Sequence, residues 1–379
     1  MKITDIETLL LSFPVPKERQ LDGWDGGLWG RRQVKVDMAI IRITTDEGIV
    51  GIGEPTNYAN PEALKVIVEE YKPEFIGKDP FDVEKLTAPG KYPTGMVRRA
   101  AMAGINVALW DIIGKAVGKP VYKLLGGCYA DKIRVYASAG QLCHDAEGIA
   151  KEAAAMREQG FTAYKVRVRL EDYLEKVKAA REGLGDDADL MVEWNMRLPN
   201  AKTAIRAIKK IERYELTWVE EPLAAWDIEG YAEVRKAVDV PISGGEAFTS
   251  HHDFKERIDR GAYDIVQPDC NQMGLSEAKK VAQLAEFKGL PVCPHNWHNA
   301  INTAANTQLV ASIPNHFMLE MNRTWNHSCP AFREEIVDNP ILPKNGYIEV
   351  PKRPGLGVEL DEEAIRKYPY IKGPIWMPA

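Results

Sequence analysis

The stretch LMVEWN, residues 190–195, decides how the second half of the chain folds. Its apolar run from Leu190 to Val192 is typical of a buried strand, yet the run ends on the carboxylate of Glu193. An unpaired carboxylate in a protein interior is costly, or it is neutralised by a shift of its pKa. Glu193 therefore needs a partner cation, or its strand must end at a polar surface.

The same unit of strand and helix recurs from about residue 133 to residue 321. Short apolar runs alternate there with amphipathic helical patterns, and the runs are IRVYASAG, AYKVRV, LMVEWN, LTWVEEP, PISGGE, YDIVQPD, PVCPH and HFMLEM. Strands that alternate with helices predict a parallel sheet. Eight such units predict that the sheet closes into a (β/α) barrel.

The residues before the barrel have a different pattern. Strand patterns around the turn signal Asp46–Gly48 predict an antiparallel meander over residues 1–55, and residues 61–118 are typical of helices. We therefore expect an N-terminal α+β domain over residues 1–130 and the barrel over residues 131–345. The Pro- and Gly-rich residues 346–379 are expected to pack back on the N-terminal domain.

Composition excludes several classes of protein. The formal net charge of −6 argues against a nucleic-acid or anionic-membrane surface, and no apolar run approaches the length of a membrane helix. The N-terminal apolar stretch is too short and too interrupted for a signal peptide. Five scattered cysteines without a C-x-x-C pair argue against a disulfide framework and fit a reducing cytoplasm.

One ionisable residue recurs at the end of almost every barrel strand. These residues are Lys165, Glu193, Glu220, Glu246, Asp269, His295 and Glu320, spaced by 28, 27, 26, 23, 26 and 25 residues. The carboxyl ends of barrel strands converge on one mouth, where active sites lie. A polar residue at one strand end is ordinary, but a series of seven in phase predicts a site.

Three carboxylates, on Glu193, Glu220 and Glu246, come from consecutive strands. Without a cation they would repel one another, whereas a hard divalent cation with oxygen ligands would neutralise them. The sequence therefore predicts a Mg²⁺ site, with rim salt bridges as the structural alternative.

Lys165 and His295 are expected to face each other across the mouth, because they lie on opposite sides of the carboxylate trio in strand order. Asp269 is placed to orient the His295 imidazole. Arg167 shares a strand face with Lys165, and a nearby guanidinium is expected to lower the pKa of that lysine. Glu320, if protonated, would donate a hydrogen bond to an oxyanion. Two proton-transfer groups beside a metal favour removal of a proton next to a carboxylate.

With these residues in view, the chain resembles the mandelate racemase subgroup of the enolase superfamily. The resemblance rests on motifs along nearly the whole chain, namely YKVRVR, WVEEPL, GGEAF, DIVQPDCNQMG, PVCPHNW, MLEM and RPGLGVEL. It implies an α/β fold with a modified TIM barrel, (β/α)7β, an N-terminal α+β capping domain and one essential Mg²⁺.

The resemblance also implies roles for the matching residues. The catalytic residues would be Lys165, Asp269, His295 and Glu320, and the metal ligands would be Glu193, Glu220 and Glu246. Glu221 is expected behind the ligands. One position departs from the family, whose usual D-x-N pattern is E-W-N here, so Glu193 is one methylene longer than the usual aspartate.

The candidate substrate contacts come from the strand ends and from two capping loops. They are Arg167, Asn195, Trp24, Trp29, Arg31, Tyr58, Asn296, Trp297 and His298. Arginines such as Arg31 and its neighbour Arg32 suit a second anionic or polyhydroxylated end of a substrate. The alternatives are that the tryptophans only pack the domain interface and that His298 only starts a helix.

For a His–Asp dyad opposite a second-strand lysine, the resemblance favours dehydration of an acid sugar, an aldonate or aldarate, to a 2-keto-3-deoxy acid. A racemase or epimerase and a sugar-lactone cycloisomerase would use the same residues. A catalytically silent binding protein is the remaining alternative. The partner is expected to be a small carboxylate, and the resemblance favours a symmetric homo-oligomer, a dimer or an octamer.

Overall fold

A computed structural model of the chain describes residues 1–21, 30–56, 58–88, 95–324 and 329–379. Two of the predicted substrate contacts, Trp24 and Trp29, lie outside the described residues. Within the described part of the chain, no helix is both long enough and apolar enough to cross a membrane.

The N-terminal strands form the predicted antiparallel meander. The strands of this region are β1 (Ile3–Pro14), β2 (Arg31–Gln33), β3 (Lys35–Thr45) and β4 (Val50–Gly53). β3 lies between β1 and β4 and pairs antiparallel with both. A tight turn at Thr45–Gly48 joins β3 to β4, as the turn signal predicts.

A long buried helix packs across this sheet. The helices of the region are α1 (Pro61–Phe75), α2 (Val83–Leu86), α3 (Met96–Ala116) and α4 (Val121–Leu124). α3 can approach β4 closely because Gly53 has no side chain: a Cβ there would lie 2.0 Å from the carbonyl oxygen of Gly104. The sheet and α3 thus bring the residues that follow β4 toward the barrel.

Seven parallel strands of the described residues form the barrel sheet. They are β5 (Lys132–Ser138), β6 (Ala163–Arg167), β7 (Asp189–Glu193), β8 (Leu216–Glu220), β9 (Ile242–Gly244), β10 (Ile265–Val266) and β11 (Leu319–Asn322). β6 to β10 follow one another in order from β5, and β11 pairs with the other side of β5. The ring closes through Val292, which bridges in parallel to Val266 and to His316.

The predicted strand PVCPH is thus reduced to one bridging residue. Its prolines, Pro291 and Pro294, lack the N–H groups that a longer ladder would need. The barrel fold with its strand-rich N-terminal domain is otherwise as predicted.

Helices cover the outside of the ring. They are α5 (Ala146–Glu158), α6 (Tyr173–Leu184), α7 (Ala201–Ile211), α8 (Ile228–Ala237), α9 (His251–Arg260), α10 (Cys270–Phe287) and α11 (Ala300–Ala311). Each begins after a barrel strand or, for α11, after the bridge at Val292. α11 is buried along its whole length, which indicates that it packs between the barrel and the N-terminal domain.

Inside the ring, apolar side chains form a plug below the polar strand ends. The plug consists of Tyr136, Ala163, Met191, Trp218, Ile265, Cys293 and Met318. Two residues further along each strand, the side chain returns to the same face. The pairs of plug residue and polar residue are Ala163 and Lys165, Met191 and Glu193, Trp218 and Glu220, Cys293 and His295, and Met318 and Glu320. The polar residues therefore stand together on an apolar floor.

The C-terminal residues contact both the barrel and the N-terminal strands. β12 (Tyr347–Glu349) pairs antiparallel with β5, and α12 (Glu362–Lys367) follows. β13 (Trp376–Pro378) pairs antiparallel with β2. The domain limits at residues 130 and 345 stay a prediction.

A buried ion pair ties the C-terminal residues to the N-terminal sheet. Lys35 Nζ lies 2.8 Å from Asp37 Oδ2, and both side chains are less than 5% exposed. Asp37 also accepts a hydrogen bond from Ser12, whose hydroxyl accepts the N–H of Ile371. Lys35 in turn donates to the Ile371 carbonyl.

Replacing Asp37 with alanine would leave the Lys35 ammonium buried without its counter-charge. We expect Asp37→Ala to lower the free energy of unfolding by about 3–5 kcal/mol, measured by urea denaturation. Lys85→Ala is the control, because it breaks the exposed Lys85–Asp82 pair and should change stability by about 0.5 kcal/mol or less. Similar small losses of stability in both variants would show that the buried Lys35–Asp37 pair contributes no more than an exposed pair.

Candidate active site

Lys165 is the cation that the buried carboxylates require. Its Nζ lies 3.1 Å from Oε2 of Glu193 and 3.0 Å from Oε1 of Glu320. It also donates a hydrogen bond to Oε1 of Glu220. All four side chains are at most 2% exposed. Glu193 can therefore end a buried strand because positive charge meets it there.

Glu193, Glu220 and Glu246 form the carboxylate trio that the sequence predicts. Each offers one oxygen, and these oxygens lie within 4.8 Å of one another. Oε2 of Glu193 is buried and lies 3.1 Å from both Lys165 Nζ and Arg167 Nε. Carboxylate oxygens are the ligands that hard divalent cations prefer. The trio fits a metal ion by its donor atoms and by their convergence.

Two donors that the sequence analysis missed fix the orientation of Glu220. Trp218 Nε1 and Gln267 Nε2 lie 2.9 Å and 2.7 Å from its Oε2. The other oxygen, Oε1, is left to face Lys165. A signal existed for Trp218, because it lies two residues before Glu220 and so shares its strand face.

Glu221 lies behind the trio, as expected from its place in the EEP motif. Its carboxylate accepts hydrogen bonds from the Tyr231 hydroxyl and, at 2.7 Å, from the N–H of Gly245. Burial raises the pKa of Glu221 to about 7. The residue therefore fixes the turn that presents Glu246 and is turned away from the cavity.

The pKa of Lys165 moves in the direction opposite to the prediction. Burial and the nearby Arg167 both lower it, but the carboxylates of Glu193, Glu220 and Glu320 outweigh them. The pKa of Lys165 therefore lies well above its usual value. Arg167 acts in the predicted direction, but the predicted net decrease is wrong because three carboxylates surround the ammonium group.

Arg167 has partners on several sides. Its Nε lies 3.1 Å from Oε2 of Glu193, and its Nη2 lies 3.1 Å from the Ser138 hydroxyl. The Nη1 group donates to the carbonyl of Ala139. The guanidinium carbon lies 3.9 Å from the centre of the Trp297 ring, a cation–π contact. These contacts hold the guanidinium rigidly at the edge of the site.

His295 and Asp269 form the predicted dyad. Nδ1 of His295 lies 2.6 Å from Oδ2 of Asp269. Nε2 lies 3.5 Å from Glu246 Oε2 and 3.9 Å from Glu320 Oε2. Burial lowers the pKa of His295, but these three carboxylates outweigh burial and raise it to about 10.

Glu320 lies between Lys165 and His295. Its Oε1 faces Lys165 and its Oε2 faces His295 and accepts the N–H of Asn296 at 2.8 Å. Burial raises the pKa of Glu320, but Lys165 and His295 hold it far below its usual range. These contacts favour the ionised carboxylate, whereas the hydrogen bond to an oxyanion considered above would need a protonated Glu320.

A cavity of about 230 Å³ opens beside these groups. It is lined by Tyr58, Arg167, Glu193, Asn195, Met196, Arg197, Glu246, His295 and Trp297. Four predicted substrate contacts, Tyr58, Arg167, Asn195 and Trp297, thus reach it. The sequence analysis missed Met196 and Arg197, although they directly follow the E-W-N motif.

The other described candidates lie off this cavity. The side chain of Asn296 donates to the backbone carbonyl of Glu320, and His298 is buried behind Tyr58, with ring centres 5.1 Å apart. Arg31 stacks on Trp376, with its guanidinium carbon 4.4 Å from the ring centre. Asn195 reaches the cavity but also donates a hydrogen bond to Glu193.

The fold and the site together define a capped (β/α) barrel with a carboxylate cluster at the carboxyl ends of its strands. The N-terminal domain model of mandelate racemase and muconate lactonizing enzyme matches residues 31–126, and the enolase C-terminal domain-like model matches residues 148–364. The chain therefore belongs to the mandelate racemase and muconate lactonizing enzyme family of the enolase superfamily.

Similar proteins act on acid sugars or their lactones. The D-galactarolactone cycloisomerase of Agrobacterium fabrum is 31% identical over 97% of this chain and 99% of its own length. The L-talarate/galactarate dehydratase of Salmonella typhimurium is 32% identical over 89% of this chain and 85% of its own length. The solved 3,6-anhydro-D-galactonate cycloisomerase from Zobellia galactanivorans has a TM-score of 0.85 and 33% identity, with 97% of this chain and 99% of that one covered.

The low pKa of His298 makes the stability of the folded protein depend on pH. Burial lowers the pKa of His298 to about 4, although Asp269 opposes the shift. The unfolded chain, with a histidine pKa near 6.5, therefore binds a proton that the folded chain rejects between pH 6.5 and pH 4. The neutral His298 contributes its stability fully above this window and loses it as the pH falls.

We expect His298→Asn to remove this part of the acid sensitivity. From pH 7 to pH 5, the free energy of unfolding of the unsubstituted protein should fall by about 2 kcal/mol more than that of the variant. Urea denaturation of both proteins at the two pH values measures the difference. Parallel losses would show that His298 titrates normally.

Proposed function

We propose that this protein is a Mg²⁺-dependent acid-sugar dehydratase, which converts an aldonate or aldarate to a 2-keto-3-deoxy acid. One observation carries the proposal: Lys165 and His295 contact opposite oxygens of Glu320 beside the carboxylate trio. Two candidate proton-transfer groups thus face one cluster, and one of them, His295, lines the cavity beside it. The acid-sugar activities in the names of the similar proteins support the same chemistry.

Glu193, Glu220 and Glu246 would hold the Mg²⁺ ion. When bound, the ion would neutralise the trio, and its charge would make the proton next to a substrate carboxylate more acidic. Trp218 and Gln267 serve this role indirectly, because they leave only one oxygen of Glu220 for the ion.

The protein's own groups would move the protons. Lys165 or His295 takes the C2 proton, depending on the substrate configuration, and Glu320 holds both groups in place. Asp269 binds Nδ1 of His295, so that Nε2 faces the cavity. His295 then protonates the departing 3-hydroxyl. As the C3–O bond breaks, C2 and C3 become doubly bonded, and the resulting enol rearranges to the 2-keto acid.

A sugar-lactone cycloisomerase is the second candidate. The match to the D-galactarolactone cycloisomerase over 97% of this chain favours it. In that reaction the bond to the ring ester oxygen breaks, and the leaving group is a carboxylate instead of a hydroxide. No acid therefore has to protonate the leaving group. A racemase or epimerase would use the same residues.

We also propose that the protein is cytoplasmic and forms a symmetric homo-oligomer, a dimer or an octamer. This proposal rests on the family resemblance and on the cysteine pattern.

A screen of mono- and di-acid sugars and their lactones tests the reaction. We expect 2-keto acid from at least one open-chain acid with Mg²⁺ present, and none with a chelator, because the trio needs its cation. Keto acid is read by its semicarbazone absorbance. A product from lactones alone would assign the cycloisomerase. If no substrate reacts and no deuterium from D₂O is incorporated at C2, the protein is a catalytically silent binding protein.

Variants of the two proton-transfer groups test their roles. His295→Asn should lower kcat by about 10²–10⁴-fold because it removes proton transfer at Nε2. Lys165→Arg keeps the positive charge among the carboxylates but cannot act as a base. A similar loss in Lys165→Arg assigns Lys165 as a base, and retained turnover assigns it as a positioning cation. Lys85→Ala is the control, because Lys85 is an exposed residue that pairs only with exposed Asp82 among the described ion pairs.

A further inference from the structure

The N-terminus of α11 is capped by a residue from another domain. Glu54, just after β4, is 2% exposed. Its Oε1 accepts the N–H and the side-chain Nδ2 of Asn299, at 3.1 Å and 3.2 Å. Its Oε2 accepts the N–H of Asn302 at 3.0 Å. Free N–H groups and the helix dipole both favour a carboxylate at this position.

The first turns of α11 hold the dyad carboxylate. Nδ2 of Asn302 lies 2.9 Å from Oδ1 of Asp269, and Nδ2 of Asn306 lies 3.2 Å from the same oxygen. Asn306 also donates to the backbone carbonyl of His295 at 3.1 Å. Oδ2 of Asp269 is thereby left to receive Nδ1 of His295. A continuous set of hydrogen bonds thus joins Glu54 to the dyad through Asn302.

The residues after Glu54 contact the same region independently. The N–H of Thr56 donates to the carbonyl of Asn271 at 3.2 Å, and the N–H of Asn271 donates to Oδ1 of Asp269 at 3.2 Å. Burial and the charge of Asp269 together raise the pKa of Glu54 to about 7, against the effect of its N–H donors. The two buried carboxylates therefore sense each other electrostatically.

We propose that Glu54 is a positioning residue for the His295–Asp269 pair. By capping α11 from the N-terminal domain, Glu54 sets where Asn302 holds Asp269, and so where His295 presents Nε2. Docking of the N-terminal domain and alignment of the dyad are then one event. This inference rests on the proposed function, in which His295 transfers a proton.

The other end of α11 offers a matched control. Gln308 accepts the N–H of Tyr122 at 2.8 Å and donates to the carbonyl of Leu356 at 2.9 Å. Like Glu54, it ties α11 to residues outside the barrel through buried hydrogen bonds. None of its hydrogen bonds reaches the dyad within the part of the chain that the structure describes. Gln308→Ala therefore reports what a merely structural tie contributes.

The experiment compares Glu54→Ala, Glu54→Gln and Gln308→Ala in the full chain. Two readouts are used: kcat and KM on a substrate from the screen, and the ¹H NMR signal of the His295 Nδ1 proton, assigned by its loss in His295→Asn. Thermal midpoints measure the structural cost of each variant.

We expect Glu54→Ala to lower kcat by about 10–100-fold, as the loss of groups that orient a reactive histidine does, with little change in KM. The His295 Nδ1 signal should shift or broaden. Glu54→Gln, which keeps one acceptor oxygen, should give an intermediate result. Gln308→Ala should lower the thermal midpoint while kcat and the signal stay unchanged.

Unchanged kcat and an unchanged signal in the Glu54 variants, with a midpoint loss like that of Gln308→Ala, would show that Glu54 only joins the domains. If Glu54→Ala does not fold, Asn302→Ala replaces it, because it removes the bond to Asp269 and keeps the backbone N–H that Glu54 accepts. An unmoved signal in Asn302→Ala would also overturn the proposal. The NMR readout needs no substrate, so a failed screen rejects the dehydratase and leaves this test intact.

Discussion

The attraction between Lys165 and the glutamates around it is the interaction on which the rest of the structure depends. Glu193, Glu220 and Glu320 stand on an apolar floor, where a lone carboxylate would be expelled or protonated. One ammonium group in contact with all three offsets their mutual repulsion and holds them close together. A barrel with this plug can therefore concentrate negative charge at its mouth without unfolding. The neighbouring hydrogen-bond donors then orient the carboxylates that this attraction holds together.

Much of the fold and of the site could be predicted because the decisive signal is local. A strand returns each side chain to the same face after two residues, so the step from Met191 to Glu193 reveals a buried floor and a polar mouth. The spacing of such steps along the chain then gives the number of strands. The strand at Val292 was over-predicted, since its flanking prolines remove ladder donors. His295, which follows this bridge, nevertheless lies at the barrel mouth, where the sequence predicted it.

The remaining features depend on contacts between distant parts of the chain. The pKa shifts of Lys165 and Glu320 depend on how many opposite charges contact each group. Spacing along the sequence does not reveal that number. Glu54 and Asn302 lie on different domains, so no local pattern links them. Arg31 was expected at the cavity because its loop resembles a capping loop. It stacks on Trp376 because β2 pairs with β13, a pairing that only the folded chain reveals.

The pairing of β2 with β13 also affects how the protein is made. Gln33 leaves the ribosome early and Trp376 late, yet they are neighbours in the finished sheet. At about 5–20 residues per second, the chain between them takes on the order of 20–70 seconds to synthesise. Throughout that time the edge of β2 is exposed, and such edges invite pairing with other chains. The three-residue edge of β2 therefore stays without its partner strand until β13 has been synthesised.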